Sequence, residues 1–155
     1  MKTAIVVAGP AHLSGLVDSV HELFAEDGGR HDGRMDLGWP RRGGRQYYSA
    51  LLSDDNALCL VAQRENTVVG HLVGRIGGGA PLRADAVTAV LESMRVAPEA
   101  RRSGVGSALV ARFGVWAGKR GARHFSVTAY SANSPAIAFY REHGFREMSV
   151  TLARS

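Results

Sequence analysis

Val96-Ala97-Pro98-Glu99-Ala100-Arg101-Arg102-Ser103-Gly104-Val105-Gly106-Ser107-Ala108-Leu109 leads from the end of one regular element into the start of another. Upstream, Val87 to Val96 reads as a β-strand. Downstream, Val105, Leu109, Phe113 and Trp116 fall on one face of a helix expected over Arg102 to Arg120. Between them lies Arg-x-x-Gly-x-Gly. The first turn of a helix has N–H groups without intrahelical partners and carries the positive end of the dipole. Glycine at 104 and 106 lets an anion approach those amides, and Arg101 and Arg102 add charge. Alone, the pattern fits a glycine-tolerant helix start equally well. It is not the Gly-x-Gly-x-x-Gly of dinucleotide-binding folds.

Working outward, Phe125 to Ala129 reads as a strand. Ser134 to His143 reads as a helix, with Ser134 able to cap it, Pro135 in its first turn and Gly144 at its end. Phe145 to Leu152 is expected as a last strand. Towards the N-terminus, Ala57 to Gln63 and Thr67 to Ile76 form a hairpin about Glu65-Asn66. Gly77-Gly78-Gly79-Ala80-Pro81 lacks the lysine and hydroxyl of a phosphate-binding loop and reads as a turn. Leu13, Leu16, Val17, Val20, Leu23 and Phe24 have helical spacing over Ala11 to Ala25. Lys2 to Val7 is a first strand, and Arg45 to Leu52 a short helix. Helices alternating with strands and a hairpin imply an α/β or α+β sheet with helices on its faces.

The 155 residues have the size of one compact domain, and residues 1–155 are read as such. The lone Cys59, between leucines, cannot form an internal disulfide and reads as an inert core thiol. The opening residues are too short an apolar run for a signal peptide, and no run is long enough to span a membrane. A cytoplasmic protein is expected. The net charge of +5 is almost all arginine, with only Lys2 and Lys119 as lysines. A basic balance suits a polyanionic partner. With no recognised nucleic-acid motif, nucleic acid ranks behind a phosphorylated cosubstrate. The six histidines show no metal-ligand spacing, so no metal is expected.

Asn133-Ser134-Pro135-Ala136-Ile137-Ala138-Phe139-Tyr140-Arg141-Glu142-His143-Gly144-Phe145 follows the arginine-glycine stretch at a fitting distance. Together the two segments resemble the signatures of the GCN5-related N-acetyltransferases, over about a third of the chain. The resemblance implies that family's fold: a central mixed, mostly antiparallel sheet splayed at its fourth strand, with helices on both faces. It implies acetyl-CoA as cosubstrate and an amine as acceptor. The backbone at Met94, Arg95 and Val96 would pair with pantetheine. The segment Arg101, Arg102, Ser103, Gly104, Val105, Gly106 and Ser107 would hold the pyrophosphate. Asn133 would bond to the pantetheine arm, and the Tyr140 hydroxyl would protonate the leaving thiolate.

An amine attacks a thioester only as the free base, so a proton acceptor is needed. Period-two alternation places Val90, Glu92, Met94 and Val96 on one face of their strand. A carboxylate on that apolar face would be partly desolvated, its pKa raised toward a useful value. Leu91-Glu92-x-x-x-Val96 also resembles aminoglycoside 6'-N-acetyltransferases and related small-molecule members. Glu92 is therefore the expected base or substrate anchor, against the alternative of a rim carboxylate paired with an arginine. Some ribosomal-protein alanine acetyltransferases carry a glutamate near position 128, where this chain has Thr128. From Asp18 to Asp36, six acids face two bases (Arg30 and Arg34), −4 locally, which suits a small cationic amine. Trp39, Tyr47 and Tyr48 could stack on it. A protein or peptide amino group is the alternative acceptor, and a non-catalytic acyl-CoA sensor the alternative of another class. The acyl chain is taken as acetyl. Dimers are common among similar proteins, so a homodimer stays open.

Overall fold

The computed structural model describes residues 2–77 and 87–155. The glycine-rich turn expected at 77–81 falls, beyond Gly77, outside them. In chain order the main elements are β1 (Ala4–Val7), α1 (Leu13–Leu23), α2 (Gly29–His31), α3 (Arg45–Leu52), β2 (Ala57–Arg64), β3 (Thr67–Gly77), β4 (Thr88–Val96), α4 (Val105–Lys119), β5 (His124–Val127) and α5 (Ser134–Glu142). Wide π-helical turns at Phe24–Gly28 and Pro40–Gly44 carry the chain between α1 and α3. The sheet runs β1-β2-β3-β4-β5, antiparallel except for the parallel pair β4 and β5.

β2 explains why its apolar run is unbroken. Leu58, Leu60 and Ala62 pack with α4 residues Leu109 and Phe113, while Cys59 and Val61 pack with Leu16, Val17 and Val20 of α1 and with Tyr48 and Leu51 of α3. Successive side chains go to opposite faces, and both faces are covered, so every position must be apolar. Burial pushes the Cys59 thiol up to about 12, as suits the inert thiol expected there.

Two features of the sheet create the site. Between β3 and β4 the register shifts: Val73 faces Ser93 but Gly74 faces Leu91, so Glu92 is the extra residue of a bulge. Strict alternation therefore fails there. Glu92, Ser93 and Arg95 contact groups on the α1/α3 side, while Met94 and Val96 pack into the α4 cluster. Glu92 and Met94, expected on one face, lie on opposite ones. In addition, β5 pairs with β4 only over Thr88–Leu91, and beyond Leu91 the two strands part into a V.

Three local expectations need correction. Arg102 has φ +62°, in the left-handed region, so α4 cannot start there and begins at Val105. Helix α5 is capped by Asn133, whose Oδ1 accepts from the Ala136 N–H at 3.2 Å, and not by Ser134. No strand forms over Phe145 to Leu152, where Met148, Val150 and Leu152 are 83%, 77% and 90% exposed. The alternating pattern is real, but these residues pair with no strand in the described chain, and the outer edge of β5 stays free.

Candidate active site

The parting of β4 from β5 opens a cleft of about 900 Å³, walled by Glu92 to Val96 on one side, Val127 to Ala129 on the other, and closed by the loop before α4 and by α5. Every residue expected to bind cofactor lines it except Ser103, whose hydroxyl donates to the Ala100 carbonyl at 2.6 Å and shapes the loop. Gly104, the residue before α4, has φ +82°, a conformation that L side chains rarely adopt, and α4 has no side-chain cap. Its first-turn N–H groups thus open into the cleft. A Cβ on Gly106 would come within 3.1 Å of the Phe139 ring and 3.5 Å of Met94 Cε. These uncapped amides, the bare Gly106 and the Arg102 side chain fit a pyrophosphate, while Arg101 is held by its own partners. The parted β4 edge leaves Met94 to Val96 without a β5 partner, as an added extended arm requires.

Arg101 donates from Nε to the Val96 carbonyl at 2.8 Å and from its guanidinium to Glu26 at 3.3 Å. Arg95 donates to the same Glu26 at 2.7 Å. Next to Glu26, Asp27 accepts from Asn133 Nδ2 at 3.0 Å. The π turn after α1 is therefore fastened across the cleft by two consecutive acids. Tyr140 is packed against Phe139 and Phe145, and burial, with Asp27 second, pushes its phenol up to about 12.

Glu92 does not sit among apolar groups. Its Oε1 accepts from the Tyr47 hydroxyl at 2.8 Å and lies 3.6 Å from Arg75 Nε. The arginine pairing was the alternative reading of this residue. Burial, then the Glu92 hydrogen bond, pushes the Tyr47 phenol up, so it stays a donor. Beside Glu92 a second cavity of about 570 Å³ is walled by Phe24, Trp39, Tyr47, Tyr48 and Tyr130 and by Asp27, Asp36 and Glu92. Glu92 and Ser93 line both cavities. Trp39 meets Tyr47 and Tyr48 edge-on, at 5.6 and 6.2 Å between centroids, so these rings pack on one another as well as line the wall.

The acidic stretch from Asp18 to Asp36 proves largely neutralised in space. Asp18 pairs with Arg41, Asp36 with Arg42, Asp32 with Arg34, and Glu26 with Arg95 and Arg101. Most of these arginines lie outside the counted window, which is why the local count overstated the negative charge. Tyr47 as the partner of Glu92, and the strap of Glu26 and Asp27, had no local signal, because their partners are 45 to 106 residues away. Among the described residues no group of three or more His, Cys, Asp or Glu could hold a metal. No helix of the described residues is long and apolar enough to cross a membrane.

The sequence model of the acetyltransferase (GNAT) family matches residues 17–145. Aminoglycoside 6'-N-acetyltransferase AAC(6')-IG from Acinetobacter haemolyticus superposes with TM-score 0.77 at 24% identity, over 98% of this chain and 97% of that one. AAC(6')-Iy in complex with a bisubstrate analogue, CoA-S-monomethyl-acetylneamine, gives 0.78 at 19% identity, over 100% and 99%. A transcriptional regulator from Bacillus halodurans C-125 gives 0.77 at 24%, over 99% of each chain. No curated protein sequence matches significantly.

Proposed function

Because this chain belongs to the acetyltransferase (GNAT) family and so is an N-acetyltransferase with acetyl-CoA as cosubstrate, we propose that its acceptor is a small cationic amine and that Glu92 takes the amine's proton. One observation carries the acceptor class: among the described residues the cavity beside Glu92 is walled by five aromatic rings and by Asp27, Asp36 and Glu92, of which Asp36 is paired with Arg42 and Glu92 lies beside Arg75, so the rings and Asp27 make most of its preference. Such a wall favours a cation and gives it faces to lie against. The aminoglycoside acetyltransferases of like fold agree with it.

In this mechanism the α4 amides and Arg102 hold the pyrophosphate, and the Met94 to Val96 backbone orients the thioester at the mouth of the V. Glu92, held by Tyr47, accepts a proton from the amine, directly or through water. The freed nitrogen forms the new N–C bond, and backbone N–H near Val96 binds the carbonyl oxygen as it gains charge. As the C–S bond breaks, Tyr140 gives its proton to the departing sulfur, and the second proton that the nitrogen sheds on becoming an amide returns to Tyr140 through water; its raised pKa keeps that proton in place at neutral pH. Asn133 would swing Nδ2 from Asp27 to the pantetheine arm while Oδ1 goes on capping α5.

Thiol release from acetyl-CoA across aminoglycosides, polyamines, amino acids and short peptides tests the acceptor class. Turnover with cationic small molecules supports it. Turnover with peptides alone moves the function to protein acetylation. Tight acetyl-CoA binding with no turnover on any of them means a sensor. For the cosubstrate site, Gly106→Val is expected to raise the Kd for acetyl-CoA about tenfold or more, because the added side chain fills the space between Phe139 and Met94. Calorimetry on variant and wild type checks this, and an unchanged Kd would move the pyrophosphate elsewhere.

We read residues 1–155 as one N-acetyltransferase domain, which two core clusters sharing one sheet support, and as cytoplasmic, which the buried lone thiol supports. A homodimer has support in the exposed Met148, Val150 and Leu152 and in β5, which pairs on one edge only. The tail of one copy could add to the free β5 edge of another. Light scattering on the wild type should then give about twice the 16.5 kDa chain mass. The doubly substituted Val150→Asp, Leu152→Asp variant should give the monomer with an unchanged circular dichroism spectrum.

A further inference from the structure

His71 on β3 is fully buried, yet both of its ring nitrogens are engaged. Nδ1 lies 2.6 Å from Ser19 Oγ on α1, and Nε2 lies 2.8 Å from Ser93 Oγ on β4. A serine hydroxyl can donate or accept, so the pair satisfies a neutral imidazole in either tautomer. Among the described residues no carboxylate touches the ring to balance an imidazolium, and burial, with Arg95 second, pushes its pKa down to about 3. The mechanism above gives this residue no part.

Its place in the sheet does. Ser93 is the residue next to the bulge, and the bulge residue is Glu92, which faces no partner on β3. A bulged residue is not fixed by a ladder pair, so its direction depends on what holds its neighbours. From the cavity side Glu92 is held by Tyr47; from the core side Ser93 is held by His71. Ser93 also lines both the cosubstrate cleft and the acceptor cavity, at the point where the two meet.

We infer that His71, clamped between Ser19 and Ser93, is a positioning residue for the transfer: through the Ser93 hydroxyl it fixes the β4 bulge and thereby the direction of the Glu92 carboxylate. This rests on Glu92 being the base. Ser19 serves to set the ring, and Ser93 transmits its position.

The test uses full-length variants S93A, S19A, H71N and H71Q, with thiol release measured on the best acceptor of the amine panel. The Gln side chain reaches to about where Nε2 sits and can still hold Ser93. The Asn side chain reaches only to the Nδ1 position. S93A and H71N are each expected to lower kcat about tenfold, with acetyl-CoA Kd within twofold of wild type, and together to lower it no further than either alone. S19A, which loosens the ring but leaves Ser93 in place, should lower kcat less than S93A does, and H71Q should recover most of the H71N loss. In an E92Q background S93A should cost nothing more. If E92Q is impaired while S93A turns over like wild type, the positioning role is overturned and the base stands. If E92Q keeps full turnover, the base falls, and the positioning role falls with it. A tenfold loss from S93A that persists in E92Q also overturns the role, since the effect then does not run through Glu92. Equal kcat for H71N and H71Q, with melting temperatures that fall alike, would reduce the cluster to core packing.

Discussion

Glu92→Gln is expected to lower kcat at saturating amine by about 100-fold to 10,000-fold, the usual worth of a positioned general base, while the Kd for acetyl-CoA stays within twofold. The amide keeps the shape of the carboxylate, and its oxygen can still accept from Tyr47. What it cannot do is take a proton. The loss therefore belongs to proton transfer and not to a collapsed wall. Because the variant depends on amine already deprotonated in solution, its residual rate should climb about tenfold per pH unit below the amine's own pKa. The wild type, with its own acceptor, should climb less steeply. Steady-state thiol release at several pH values checks both statements. Unchanged turnover at saturating amine would leave Glu92 as an anchor or a rim carboxylate paired with Arg75.

What could be read from the chain and what could not divide along physical lines. The β2–β3 hairpin was legible because two apolar runs flank Glu65-Asn66, and Glu65 does take the left-handed turn conformation. The loop before α4 was legible because strand, arginines, glycines and helix follow one another within twenty residues. The bulge was not. One extra residue on β4 leaves no mark in composition, yet it moves Met94 to the face opposite Glu92 and brings Ser93 to the same side. The electrostatics were legible only as local sums. Glu26 meets Arg101 across 75 residues, and a window of nineteen cannot see it. The last strand was misread because its alternation is strand-like while residues 145–152 stay unpaired and exposed beside the free edge of β5. His71 carried the least signal of all. As one of six histidines without ligand spacing, on an apolar strand, it reads as core, and only the sheet register shows that it stands behind the bulge.

That burial has its own consequence. Lowering the pH from 7 to 5 is expected to cost about 2 kcal/mol of unfolding free energy through His71 alone. The folded imidazole has its pKa pushed down to about 3 by burial, against about 6.5 for an unfolded histidine. Between those values the unfolded chain binds the proton and the folded chain does not. The stability is therefore complete well above about pH 6.5 and falls as the pH drops through the window, toward a loss of about 4 kcal/mol near pH 3. That is a large share of the roughly 5–15 kcal/mol that holds a domain together. The carboxylates whose pKa is held down, Asp32 and Asp36 by Arg34 and Arg42 and Glu147 by a backbone hydrogen bond and then Arg141, are exposed and lose their contribution only at lower pH. Over pH 7 to 5 the slope thus belongs mainly to His71. Urea unfolding of wild type and H71Q at pH 7, 6 and 5 isolates it. Whatever H71Q costs at pH 7, its stability should vary little across that range while the wild type declines. Equal slopes for the two proteins would mean that the buried ring accepts a proton without unfolding, and that the clamp of Ser19 and Ser93 opens to let it.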